Sequence, residues 1–134
     1  MAGYSGTPLP RKLGIKSEHR VAFPGAPEDF ASTLGLLPEA VDVRARVRGP
    51  LDVIVFFTRR RSELERRLES LKRALRTSGG LWIAWPKRAS GVETDVTEDV
   101  VRELGLAAGL VDNKVCAIDE TWSGLRLVYR LRDR

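Results

Sequence analysis

The sequence predicts an α/β fold of three layers, one sheet with helices on both faces. Three observations predict it. Apolar segments of strand length alternate with segments of helical period, in the order strand, helix, strand, strand, helix, strand, helix. Two of the strands, residues 51–57 and 81–85, are almost uninterruptedly apolar, as burial on both faces of a parallel sheet requires. The last two, residues 110–119 and 125–131, are separated only by a turn through Glu120 to Gly124, which makes them an antiparallel hairpin.

Each element follows from local chemistry. Thr7 as N-cap, Pro8 at the first position and Gly14 as terminator predict a short helical turn. Residues 20–23 read as a short strand stopped by Pro24-Gly25. Ala26-Pro27-Glu28-Asp29 opens a helix to about Leu36, with the two acids capping its first turn. From 41 to 47, Val41, Val43, Ala45 and Val47 alternate with Asp42, Arg44 and Arg46, the period of a half-exposed edge strand. After residues 51–57, Ser62 and Glu65 suggest a capping box, Leu64, Leu68, Leu71 and Leu75 follow at helical spacing, and Gly79-Gly80 closes the helix. Pro86 ends the strand at 81–85, and residues 87–94 form a polar loop. A helix from about Asp95 or Thr97 presents Val100, Val101, Leu104 and Ala107 on one side and stops at Gly109. No repeat or linker interrupts residues 1–134, so a single domain is expected, with residues 1–19 as an N-terminal arm.

Composition narrows the function classes. The chain has 134 residues, 43% hydrophobic and 31% charged, which describes a globular protein and not a disordered one. Arginine outnumbers lysine 18 to 5, a ratio that reflects a GC-rich genome rather than a binding site. The net charge is +5, and residues 59–76 carry all of it, with eight basic groups against three acidic ones. One cysteine, Cys116, excludes an intramolecular disulfide and a cysteine-built zinc site, and no metal is expected. His19 is the only histidine and precedes the first strand, where it reads as a surface residue. No run approaches the roughly 18 apolar residues of a membrane span, and the start lacks the charged and apolar regions of a signal peptide. The expected setting is therefore cytoplasmic.

Three stretches carry a resemblance: Lys12-Leu13-Gly14-Ile15 leading into Val21-Ala22-Phe23-Pro24-Gly25-Ala26-Pro27; Trp85-Pro86-Lys87-Arg88-Ala89-Ser90-Gly91 before Thr94-Asp95; and Gly109 to Ala117 running into Asp119-Glu120-Thr121-Trp122-Ser123-Gly124-Leu125. With the start Tyr4-Ser5-Gly6-Thr7-Pro8, they resemble a small bacterial family known as domain of unknown function 3052, over nearly the whole chain. More distantly, the alternating elements, the final hairpin and Gly79-Gly80-Leu81-Trp82-Ile83 resemble class I methyltransferase-like Rossmann folds. That likeness implies the strand order 2-1-3-4-6-5, with the last strand inserted beside 81–85. It also implies a glycine-rich turn after the first strand and an acid after the second, to hold S-adenosylmethionine. This chain has the one-glycine turn Pro24-Gly25-Ala26-Pro27, and Arg46, Val47 and Arg48 stand where the acid belongs. No cofactor is therefore expected.

The remaining candidates sit where the fold places loops. Arg59 and Arg60 follow one buried strand, and Lys87, Arg88 and Ser90 follow its neighbour, so all five belong at the carboxyl edge of the sheet, where open α/β sheets bind ligands. Guanidinium groups there suit an anion. The competing reading is a solvated basic rim paired with Glu63 and Glu65. Trp122 in the hairpin turn is a candidate interface residue. Asp119 and Glu120 point apart and make a poor acid–base pair. Residues 59–76 contain no aromatic to stack on bases, so sequence-specific nucleic-acid binding is not expected. The expectation is a non-catalytic binding or interaction module for an anionic small molecule or a protein partner. The alternative is a divergent enzyme or nucleotide-binding protein that uses the basic edge.

Overall fold

Leu51–Phe57 form the central strand, β3, and all but Asp52 are buried. A computed structural model describes residues 6–134 of the chain; Tyr4 and Ser5 of the N-terminal motif lie outside the described residues. Around β3 are β1 (Arg20–Ala22), β2 (Asp42–Arg44), β4 (Leu75–Pro86), β5 (Leu110–Ala117) and β6 (Trp122–Tyr129). They form one six-stranded sheet in the order β2-β1-β3-β4-β6-β5. The pairs among β1 to β4 are parallel, and β6 runs antiparallel to both β4 and β5. The class I methyltransferase-like order is thus the observed one.

The alternation of β3 divides the core. Ile54 and Phe56 face one cluster with Leu64, Leu68 and Leu71 of α3 (Arg61–Ala74) and Val101 of α4 (Glu98–Ala107). Val53, Val55 and Phe57 face the other, with Leu13, Ile15, and Phe30 and Leu34 of α2 (Phe30–Leu34). Each fully buried leucine or valine contributes roughly 1.5–3 kcal/mol. Trp82 and Trp85 fall on opposite faces, as their spacing requires. The indole N–H of Trp82 donates to the Leu13 carbonyl at 3.0 Å and so fastens the N-terminal segment to the sheet. That segment contains α1 (Leu9–Lys12).

Several boundaries differ from the sequence reading. Pro8, not Thr7, is the N-cap of α1, with no side-chain cap. α2 begins only at Phe30, so Glu28 and Asp29 precede its first turn, and Asp29 makes no side-chain cap. The Phe30 N–H donates to the Pro27 carbonyl at 3.0 Å, closing a tight turn before the helix, and Gly35 at φ +75° ends it after Leu34. β2 is three residues long and wholly exposed; Val43 is 51% exposed despite its alternating pattern, because the strand lies at the sheet edge with only β1 beside it.

α3 corrects the sequence reading at both ends. The Ser62–Glu65 capping box does not form. The helix begins at Arg61, whose N–H donates to Asp95 Oδ1 at 2.7 Å, while Glu65 pairs with Arg61 at 3.4 Å. The helix stops at Ala74, not at Gly79-Gly80, because Leu75 already pairs with Leu51 of β3. Residues 76–78 bulge between that pair and Val53–Gly80, and the bulge is pinned by Arg76 on Asp52 at 3.1 Å. Gly79 and Gly80 are buried strand residues: a Cβ on Gly79 would stand 2.6 Å from the Asp52 carbonyl oxygen. The hairpin turn lies at 118–121, so Trp122 begins β6 instead of occupying the turn. α4 matches its predicted bounds and cap: Thr97 Oγ1 accepts from the Val100 N–H at 3.2 Å, and Gly109 at φ +86° leads into β5. Of its expected apolar face Val101 is buried, Val100 and Leu104 are half-buried, and Ala107 is exposed, with Gly105 buried in its place.

The remote cap gives a direct test. Asp95→Ala removes the acceptor for Arg61 and is expected to cost about 1 kcal/mol, whereas Ser62→Ala should change stability by less than about 0.5 kcal/mol. Urea denaturation of the two variants measures both values. A larger loss at Ser62 would restore the local capping box.

Candidate functional site at the carboxyl edge

β1, β3, β4 and β5 all end on one edge of the sheet, so residues 23–29, 58–60, 87–97 and 118–121 gather there. The turn after β1 is folded down onto β3. The Phe57 N–H donates to the Pro24 carbonyl at 3.0 Å, and the Ala26 N–H returns to the Phe23 carbonyl at 3.2 Å. Gly25 holds φ +76°, and a Cβ there would meet the Phe57 carbonyl oxygen at 2.6 Å. Rings cover the same edge. Phe23 meets Phe30 edge-on at 5.1 Å, Phe30 meets Phe57 at 4.9 Å, and Phe57 meets Trp122 at 5.1 Å. Such T-shaped pairs add about 0.5–1.5 kcal/mol each beyond their buried area. Trp122 is half-buried against this stack, which gives the sequence's candidate interface residue a packing role. β2 ends at Arg44, two residues earlier than the Arg46–Arg48 segment expected at that place. A cation still occupies its end, and Asp42 pairs with it at 3.1 Å.

The five basic-edge candidates separate into two groups. Arg59 and Arg60 are exposed and line a shallow groove of about 420 Å³ with Glu93, Thr94 and Asp95. Thr94 Oγ1 donates to the Arg59 carbonyl at 2.7 Å, which brings the acidic loop against the two arginines. Lys87, Arg88 and Ser90 do not line this groove. Lys87 is tied to the hairpin turn: its Nζ donates to the Asp119 carbonyl at 2.7 Å and its N–H to the Thr121 carbonyl at 2.7 Å. Ser90 Oγ donates to the Lys87 carbonyl at 2.6 Å and accepts from the Val92 N–H. Arg88 is exposed in the short 3-10 turn Arg88–Ser90. Ser90 therefore spends its hydroxyl on the loop itself, and Lys87 spends its ammonium on the hairpin turn.

The other singled-out residues take structural places. Asp119 Oδ1 accepts from the N–H groups of Thr121 and Trp122, both at 2.8 Å, and shapes the hairpin turn. His19 Nδ1 accepts from the Lys16 N–H at 3.1 Å. Cys116 is half-buried, and burial pushes its thiol pKa up against the opposing charges of Lys12 and Lys114. Thr58 is buried at the end of β3; its Oγ1 bonds Glu63 and accepts from the Arg60 N–H. Among the described residues, no three His, Cys, Asp or Glu side chains gather as a metal site, and no helix is long and apolar enough to cross a membrane.

A second opening on this edge was not legible in the sequence. A cleft of about 810 Å³ lies between the N-terminal segment, α2 and the β5–β6 turn, with Thr7, Leu9, Asp29, Thr33, Asp119 and Glu120 in its wall. Three distant segments build it, so no local spacing announces it. The one available signal was topological: segments 23–29 and 118–121 both follow parallel strands and share an edge.

Comparison with known proteins agrees with this geometry. Magnesium protoporphyrin IX methyltransferase of Synechocystis PCC 6803, solved with S-adenosylmethionine, superposes with a TM-score of 0.61 at 10% identity, covering 91% of this chain and 74% of that one. A SAM-dependent methyltransferase from Aquifex aeolicus gives 0.58 at 17% identity, over 87% and 85% of the two chains. A TehB-like SAM-dependent methyltransferase from Corynebacterium glutamicum gives 0.57 at 12% identity, over 96% and 91%. At such identities the likeness is one of fold. No curated protein matches the sequence. The family model for a protein of unknown function, DUF3052, matches residues 12–131, so the chain belongs to that family.

Proposed function

We propose that this protein is a binding module built on a methyltransferase-like scaffold, and that it does not use the cofactor such scaffolds commonly hold. One observation carries the reading: the turn after β1 is seated directly on the end of β3. In the fold family, that turn is glycine-rich so that its backbone can approach the ligand. Here a Cβ on Gly25 would stand 2.6 Å from the Phe57 carbonyl oxygen, inside contact distance, and the Phe23–Phe30–Phe57–Trp122 rings pack in a row on the same edge. The end of β2 offers Arg44 where a ribose needs a carboxylate. The residues present do not fit the cofactor, and no methyl transfer is derived from them.

The cleft between α2 and the hairpin turn is the place for a ligand in this reading. Its wall carries three carboxylates, Asp29, Asp119 and Glu120, against the single ammonium of Lys12. That balance favours a group that donates hydrogen bonds. The anion suggested by the Arg59–Arg60 pair ranks second, because Glu93 and Asp95 share that groove.

Two measurements check the reading. Isothermal titration with S-adenosylmethionine should show no binding tighter than the millimolar range. A dissociation constant below about 10 μM, roughly −7 kcal/mol, would reverse the assignment. Native mass spectrometry of the protein purified from its own host should retain a small molecule or a protein partner. Separately, Gly25→Ala should destabilise the fold by about 3 kcal/mol, since it combines an unfavourable φ with a backbone clash. An open turn with room above it would tolerate that substitution at about 1 kcal/mol, and thermal unfolding distinguishes the two outcomes.

A further inference from the structure

The strongest concentration of unrelieved positive charge lies on the opposite, amino edge of the sheet. Three contacts assemble it. Tyr129 Oη donates to the Lys72 carbonyl at 2.7 Å, which joins the end of β6 to the end of α3. Gly49 abuts Ala74, a Cβ there standing only 2.6 Å from the Ala74 carbonyl oxygen, and this brings the chain after Arg48 against the end of α3. Arg134 Nε donates to the Tyr129 carbonyl at 2.9 Å and folds the C-terminal turn (Leu131–Asp133) back to the same edge. The topology carries Arg48, Arg73, Arg126, Arg130, Arg132 and Arg134 to this edge from three parts of the chain, and Arg126 and Arg134 lie close enough to repel.

Arg126 is the most telling member. It is half-buried, and its guanidinium lies flat where a Cβ of Gly80 would stand, so the strand is cut away to receive it. Its one side-chain bond among the described residues is to Asn113 Oδ1 at 3.4 Å, and it makes no ion pair there. Burial, and then the charge of Arg134, lower its pKa. An incoming anion would stabilise the buried charge and offset the repulsion from Arg134. The acids nearby are few. Asp52 is already paired with Arg76, and Glu69 and Asp133 lie close enough to Tyr129 to raise its phenol pKa, after burial.

We infer that this amino edge binds the phosphate backbone of a nucleic acid without reading its sequence. The arginines are spread along the edge of β3, β4 and β6. With neighbouring strands about 4.8 Å apart, they span on the order of 10 Å before side-chain length is added. That arrangement suits a polymer of regularly spaced phosphates better than one small anion. Guanidinium forks match phosphate oxygens in pairs. Membrane binding needs a contiguous apolar face, and among the described residues the large apolar side chains exposed toward this edge, Leu131 (80% exposed) and Leu106 (46%), come from separate elements. Tyr129 has its hydroxyl bonded and Lys72 over its ring at 5.7 Å, so no free aromatic reads bases.

The test uses the full chain and a labelled oligonucleotide of mixed sequence, about 20 nucleotides long, single-stranded and as a duplex, read by fluorescence anisotropy. Micromolar binding is expected at about 50 mM salt, falling about 100-fold at about 200 mM if four phosphates are neutralised. Arg126→Gln with Arg134→Gln should weaken low-salt binding at least about tenfold, with a melting curve to show that the variant folds. Arg130→Gln with Arg132→Gln alters one half-buried and one exposed side chain, neither with a side-chain bond among the described residues; it should flatten the salt slope by about 2 and keeps the test open if the first variant unfolds. The inference is overturned by absence of binding at low salt. It is also overturned by binding that survives both double variants and is lost in Arg59→Gln with Arg60→Gln, or by binding to phosphatidylserine vesicles but to neither oligonucleotide.

Discussion

The seating of β3 between β1 and β4 is the constraint on which the rest of the molecule depends. Val53, Val55 and Phe57 must be covered from one side and Ile54 and Phe56 from the other, so helices are required on both faces. α3 and α4 provide one cover. The other is thinner, made of α1, α2 and irregular segments, and it is held by the packing of Leu13, Ile15, Phe30 and Leu34 and by the buried bond from Trp82 to the Leu13 carbonyl. Because that layer contains little helix, it leaves space at the carboxyl edge. The cleft beside α2 is the consequence. Phe57, the last residue of β3, then couples core to site: its backbone fixes the turn after β1, and its ring bridges Phe30 and Trp122.

Much of this was legible in the sequence, where the signal was a pattern of burial. The apolar run of β3, the opposite-facing Trp82 and Trp85, the Thr97 cap and the terminal hairpin all follow from side-chain chemistry within a few residues. The resemblance to methyltransferase-like folds added the strand order. What was hidden depends on partners far away in the chain. Asp95 caps a helix that begins 34 residues earlier. Gly79 and Gly80 look like a helix terminator, but they are glycines because the Asp52 carbonyl and Arg126 guanidinium crowd their faces. Val43 has the alternation of a buried strand residue and is exposed because its strand is outermost. Local pattern reports what a residue prefers; the sheet position decides what it meets.

The candidate site shows the same division. The sequence placed Arg59, Arg60, Lys87, Arg88 and Ser90 at one edge, but closeness to an edge does not make side chains converge. Lys87 is drawn toward the hairpin turn by two carbonyls, Ser90 closes its own turn, and Arg59 and Arg60 face an acidic loop. Charge counts along the chain were equally incomplete. Residues 59–76 carry the whole formal excess, yet several of those cations are already engaged: Arg61 with Glu65 and Glu103, Arg67 over the Phe56 ring, Lys72 with the Ala108 carbonyl, and Arg76 with Asp52.

Pairing, more than number, therefore sets where the protein's field is strong. Exposed ion pairs contribute about 0–1 kcal/mol to stability, but each one also removes a cation from the set that can meet an outside anion. Arg102 illustrates the limit, since Glu98, Asp99 and Asp112 all pair with it. The C-terminal arginines follow no such arrangement: Arg130 and Arg132 have no ion pair among the described residues, and Arg126 is packed onto Gly80 beside Arg134. A sequence count averages these cases. The sheet separates them, because the antiparallel return of β6 carries its arginines to the amino edge while the parallel strands deliver their loops to the carboxyl edge. The two edges consequently differ in chemistry, with a largely apolar cleft carrying three carboxylates at one and guanidinium groups without ion pairs among the described residues at the other.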